Sequence, residues 1–182
     1  MQQNNNFSSR VANSFKQAHS HIKRYLSNQA RKNYVEHQEH DILKCPECGA
    51  VYFKKAWHMK APEGVSTEGA KSELCMADMM KKNNEYEGKV TIANMPAQYK
   101  ADVINLVKNM SAHAMFQNPM HRVLSIEDHD STIEIFTSEN QLAQQIGEKI
   151  EETHKQAFEH RITDQGPNTD TINVELYWVK MN

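Results

Sequence analysis

The chain has 182 residues, 38% of them hydrophobic, a mean hydropathy of -0.78 and a formal net charge of -2. Its longest apolar run is a few residues, far short of the roughly 20 that a membrane-spanning helix needs, which argues against an integral membrane protein. Three cysteines, two of them in a CxxC pair, argue against a disulfide scaffold and for metal or redox chemistry in a reduced, cytoplasmic protein. The opening MQQNNNFSSR has no apolar stretch resembling a secretion signal.

Charge is unevenly distributed. Between Met1 and Val35 lie Arg10, Lys16, Lys23, Arg24, Arg31 and Lys32 and no acidic residue, which leaves the remainder at a net of -8. A basic arm on an acidic body suits contact with a polyanion; a solvated tail is the simpler alternative. Within the arm, Val11, Phe15, Ala18, Ile22, Tyr25 and Leu26 recur every three or four residues, the spacing of an amphipathic helix.

Residues 41–86 carry the cysteines. ILKCPECGAVYFKKAW reads as strand, tight knuckle, strand; APEGVSTEGAKSE reads as a loop; LCMADMMKKNNEY reads as a short helix or turn. Two residues between Cys45 and Cys48 let both thiolates reach one tetrahedral ion, and Gly49 permits the turn that follows. A zinc ribbon needs four ligands, and the second half supplies Cys75 with Asp78 where another cysteine would stand. The expected cofactor is one zinc ion, weakly held or lost, on Cys45, Cys48, Cys75 and Asp78, with His58 as the rival fourth ligand. A thioredoxin-like redox reading needs a helix after the first cysteine, whereas the flanks here are strand-like.

Residues 87–182 show clearer periodicity. GKVTIANM alternates as a strand with Val90 and Ile92 inward. Tyr99, Val103, Leu106, Val107, Met110 and Ala114 share one face of a helix over 97–114. HRVLSIED and TIEIFTS form a hairpin around a turn at HDS. Ser138 is placed to cap a helix, with Gln141 as its capping-box partner, and the helix carries Leu142, Ile146, Ile150 and Phe158. After a polar loop with Gly166 and Pro167, TINVELYWV alternates again. The expected fold class is α+β: a basic helical arm (1–40), a zinc-ribbon-like region (41–86) and a ferredoxin-like βαββαβ domain (87–182). The ten histidines and ten methionines fit surface and gap-filling roles more simply than a second metal site, and no nucleophile, phosphate-loop or paired-carboxylate signature argues for an enzyme.

CPECGAVYFKKAW, followed by a second cysteine turn and YEGKVTI, resembles the zinc-ribbon region of the ribosome export adaptor family of archaea and eukaryotes. From about Lys44 to Trp178 the chain resembles the small bacterial relatives of that family, through INLVKN, NPMHRVLSIED, FTSENQLAQQIGEKI and VELYWV. The family pattern has two CxxC pairs, so Cys45, Cys48 and Cys75 match as ligands and Asp78 departs. The resemblance implies association with the large ribosomal subunit. The resulting expectation is a non-enzymatic protein that binds the ribosome, ribosomal RNA or ribosomal proteins, and as a stress or hibernation factor silences translation. Its RNA contacts would be Arg10, Lys16, Lys23, Arg24, Arg31, Lys32, Lys54 and Lys55, with Phe53 and Trp57 as stacking surface. No membrane or DNA partner is expected. The alternatives are a protein-interaction module without RNA contact and a metal-dependent or thiol enzyme.

Overall fold

The computed structural model describes residues 41–154, 157–164 and 171–179, without the side chains of 159–164. The expected arm helix, with Arg10, Lys16, Lys23, Arg24, Arg31 and Lys32, and the loop holding Gly166 and Pro167 lie outside the described residues. Glu39–Asn182 forms one compact unit.

Its first half is a small sheet of very short strands. The CxxC turn sets the geometry: the Cys45 amide donates to the Ala50 carbonyl at 2.8 Å, and the Gly49 amide to the Cys45 carbonyl at 3.0 Å. Gly49 sits at φ +75°, which a residue with a Cβ adopts only under strain. The turn folds β1 (Leu43–Lys44) antiparallel to β2 (Val51–Phe53), and a two-residue turn at Lys54 and Lys55 folds β2 onto β3 (Ala56–His58). After the loop, β4 (Lys71–Ser72) returns parallel to β1, giving the order β3-β2-β1-β4. Helix α1 (Met76–Asn83) follows, with Cys75 at its N-cap and Asn84 closing it in the left-handed region. The strand–knuckle–strand and short-helix readings are both realised.

The second half is a five-stranded sheet ordered β6-β7-β5-β9-β8. Its elements are β5 (Gly88–Ala93), α2 (Ala97–Gln117), β6 (Val123–His129), β7 (Thr132–Thr137), α3 (Asn140–Thr153), β8 (Phe158–Asp164) and β9 (Ile172–Trp178). Period-two alternation sends Val90, Ile92, Ile133, Ile135, Val174 and Leu176 to one face. There they meet Val103 and Val107 of α2 and Leu142, Ala143, Ile146 and Ile150 of α3. All of these except Leu142, at 3%, have no exposed surface. Burying each large aliphatic side chain contributes about 1.5–3 kcal/mol. The opposite face carries Thr132, Glu134, Phe136, Asn173, Glu175 and Tyr177, as the alternation requires.

The split β-α-β arrangement is present, since β7 lies beside β5 and antiparallel to it, between β5 and β6. The closing half departs from the ferredoxin-like expectation. An unanticipated strand, β8, leaves the helix first, and β9 folds back antiparallel to it, so β9 runs parallel to β5. Phe158 therefore opens a strand instead of extending α3. After Ile150 the run EETHKQ offers no apolar residue to hold a further helical turn on the core. The N-cap of α3 is also shifted by one residue. Glu139 accepts from the Leu142 amide at 3.0 Å, while Ser138 turns away to accept from the Arg122 amide at 2.9 Å and to donate to the Met120 carbonyl at 2.5 Å.

Glu87 leads into β5, with its amide bonded to the Thr137 carbonyl and its carbonyl accepting from Ile172. Burial, reinforced by the charge of Glu139, pushes its carboxyl up to about 7. A raised folded-state value means that the folded chain holds this proton more tightly than the unfolded chain. Stability from that proton is complete below the unfolded value and is lost as pH rises towards 7. Glu87→Gln, which cannot ionise, should raise the melting temperature at pH 8 more than at pH 5. An equal shift at both values would count against this cause.

Candidate metal centre

Four side chains converge where the small sheet meets α1. Cys45 comes from the end of β1 and Cys48 from the knuckle. Cys75 and Asp78, three residues apart, share one face of the first helical turn. Their ligand atoms all lie within 4.8 Å of one another. Cys45 and Cys75 are buried, at 1% and 0% exposure, and Asp78 is at 9%. The thiols of Cys45 and Cys75 each lie 3.1 Å from Asp78 Oδ2, and Cys48 Sγ lies 3.7 Å from Cys75 Sγ.

These separations suit a metal ion. A tetrahedral ion with thiolate bonds of about 2.3 Å spaces its sulfurs roughly 3.8 Å apart, and the shorter metal–oxygen bond brings a carboxylate closer. The sequence-expected set is thus brought together, and the group can hold a metal ion. His58, the rival ligand, is not part of the cluster. It lies on β3 opposite Val51, and its Nε2 is 3.4 Å from the Phe53 carbonyl oxygen.

A fifth residue enters the cluster that the spacing of cysteines did not suggest. Arg122, 8% exposed, sits between α2 and β6 and sends its guanidinium into the site. Nη2 lies 2.8 Å from Cys75 Sγ and 2.9 Å from Asp78 Oδ2. Burial alone would raise the Asp78 carboxyl. Hydrogen bonds from Cys48, Cys75 and Cys45 and the Arg122 charge outweigh it and hold the group below its ordinary range. Burial pushes the thiols of Cys48 and Cys75 up. Loading an ion here must therefore expel thiol protons. The CxxC knuckle runs into β2 and not into a helix, so it lacks the helix N-terminus that activates a redox thiol.

Lys54 and Lys55 occupy the exposed tip of the β2–β3 hairpin. Lys54 Nζ lies 5.3 Å from the centre of the Phe53 ring, and Trp57 packs edge-on against Tyr52 at 5.5 Å. Phe53 and Trp57 are half-buried, so part of each ring is committed to the fold. On the outer sheet face Phe136 is already occupied, by Tyr86 at 4.8 Å and by Lys89 at 5.2 Å.

A second group, Glu127, His129 and Glu134, is more exposed; His129 Nε2 lies 3.3 Å from Glu127 Oε2, and Lys89 pairs with Glu134 at 2.6 Å. Among the described residues no helix is long and apolar enough to cross a membrane. Comparison of the chain with protein-family models, with curated proteins and with solved structures found no match.

Proposed function

We propose that this chain is a non-enzymatic accessory protein that binds the ribosome or ribosomal RNA. Cys45, Cys48, Cys75 and Asp78 hold a structural zinc ion, and the basic arm and the hairpin tip contact phosphate. The thiolate-rich donor set favours zinc. Four protein donors complete a tetrahedron and leave no position for a substrate. The resemblance to the ribosome export adaptors supplies the ribosome as partner. An arm lodged in a ribosomal channel would silence translation, as a stress factor does.

The observation that carries the nucleic-acid contact is the backbone of the hairpin tip. Lys54 and Lys55 both have positive φ, +47° and +65°. A two-residue turn of this kind is best served by Asn-Gly. Two lysines there cost roughly 1–2 kcal/mol each. The chain thus bears local strain to display two adjacent cations beside an aromatic ring, and such strain gathers at functional positions.

Charge and turn preference oppose each other here, which gives a clean test. Lys54→Asn/Lys55→Gly should make the purified chain more resistant to urea while weakening its binding to ribosomes. It should also reduce the slope of log affinity against log salt by about two. In lysate, the wild-type protein should sediment with a ribosomal peak at low salt and leave it at high salt or after ribonuclease. Sedimentation unaffected by ribonuclease, with unchanged binding by the variant, would instead make the chain a protein-interaction module.

A further inference from the structure

We propose that Arg122 is the outer-shell counter-ion of the metal centre and couples metal occupancy to the order of the α+β sheet. The inference rests on the metal reading of the cysteine cluster and not on the ribosomal one. It concerns what the cluster does to the rest of the fold.

Two sets of contacts meet on this one residue. Its guanidinium lies against a cysteine and an aspartate of the candidate ligand set. Its backbone lies one residue before β6 and is tied to the residue that follows β7. The Arg122 amide donates to Ser138 Oγ at 2.9 Å, and its carbonyl accepts from the Ser138 amide at 3.0 Å. Ser138 in turn joins β7 to α3, beside Glu139, the N-cap of that helix. A continuous chain of contacts therefore runs from Cys75 and Asp78 through Arg122 to the start of α3.

Electrostatics gives the path a direction. Arg122 already pairs with the Asp78 carboxylate and lies against Cys75 Sγ. A divalent ion bound by three thiolates and a carboxylate makes a doubly negative centre, buried in a low-dielectric setting. Arg122 is the cation placed against that charge, so loading tightens its hold. Linkage makes this reciprocal: whatever fixes Arg122 must also strengthen metal binding by the same factor. Outer-shell partners of this kind typically change metal affinity 10–100-fold when removed.

The test uses the purified full chain, zinc, and EDTA as chelator. Zinc affinity is measured by competition, and cobalt absorption reports the ligand field. Amide hydrogen exchange is followed over 118–126 and 134–142. Arg122→Gln should bind zinc 10–100-fold more weakly, and Arg122→Lys should fall between it and the wild type. In the wild type, zinc should slow exchange at Arg122, Val123 and Ser138 about tenfold or more; in Arg122→Gln that slowing should vanish while the knuckle amides still respond. Equal zinc affinity in Arg122→Gln, or exchange at 122, 123 and 138 indifferent to zinc in the wild type, would overturn the proposal. If Arg122→Gln does not fold, the wild-type exchange experiment decides alone. A wild-type chain that binds neither zinc nor cobalt would remove the metal reading itself, a result distinct from binding without coupling.

Discussion

Asp78→Asn should destabilise the metal-free chain by about 3–5 kcal/mol, seen as a large drop in the urea midpoint. The substitution barely changes shape. It removes the carboxylate paired with Arg122, whose side chain is 9% exposed, and so leaves a guanidinium in the interior without that counter-charge. It also replaces the anionic acceptor that two thiols share with a neutral amide, which offers one weaker oxygen and an NH2 donor in its place. Asp78→Cys provides the instructive comparison. It restores a fourth thiolate and should hold zinc more firmly in the loaded protein. In the metal-free protein a neutral thiol cannot balance Arg122, so this variant should lose stability when zinc is withdrawn more sharply than the wild type. A metal-free Asp78→Asn chain as stable as the wild type would show that the buried pair is dispensable.

Gly88→Ala should have an effect of similar size for an unrelated reason. A Cβ built at Gly88 would lie 2.4 Å from Thr137 Oγ1, 2.5 Å from the Ala143 Cβ and 3.2 Å from the Glu139 carbonyl oxygen. Thr137 and Ala143 have no exposed surface, so neither has room to withdraw. Thr137 Oγ1 is engaged with the Gly88 carbonyl at 3.2 Å and the Glu139 carbonyl at 2.8 Å, contacts that any rotation would disturb. Overpacking of this kind typically costs 1–3 kcal/mol, and displacing α3 from β5 places Gly88→Ala at or above about 3 kcal/mol. Gly64→Ala is the control. Gly64 has φ +78° and nothing within 4 Å of its Cβ position, so only backbone strain of about 1 kcal/mol applies. Equal losses from the two substitutions in thermal unfolding would contradict the close packing.

Much of the metal centre is legible in the sequence because its ligands are locally spaced. Cys45 and Cys48 are tied by a turn, and Cys75 and Asp78 by one helical turn, so only the meeting of two short units had to be supplied. The sequence already favours Asp78, with His58 as the rival, and the fold places His58 outside the cluster, on β3 with its Nε2 3.4 Å from the Phe53 carbonyl oxygen. Arg122 was invisible for the converse reason. It lies 47 residues from Cys75, at the head of the strand-like segment HRVLSIED, and its burial depends on the path from α2 into β6. The core strands were readable wherever alternation was strict, as at Val90 and Ile92. The segment holding β8 offers Phe158 and Ile162, whose spacing of four fits a helix as well as a strand. That ambiguity hid a strand and, with it, the reversed direction of β9. Ser138 fits the sequence pattern for a cap, but its hydroxyl goes to a distant backbone, a choice made by tertiary packing and not by local preference.

The parallel pairing of β5 with β9 has a consequence for how the chain comes to be folded. Gly88 pairs with Ile172, and every register partner along β5 is similarly remote on that side, whereas β7 reaches the other side through the nearer half of the chain. During synthesis, β5, β6 and β7 can assemble with α2 while one flank of β5 still presents unpaired amides and carbonyls, and Val90 and Ile92 lack Val174 and Leu176 as neighbours. Contacts so far apart in sequence slow the search for the native state. A nascent chain halted before residue 172 would carry an open central strand, which is a template for association with other copies.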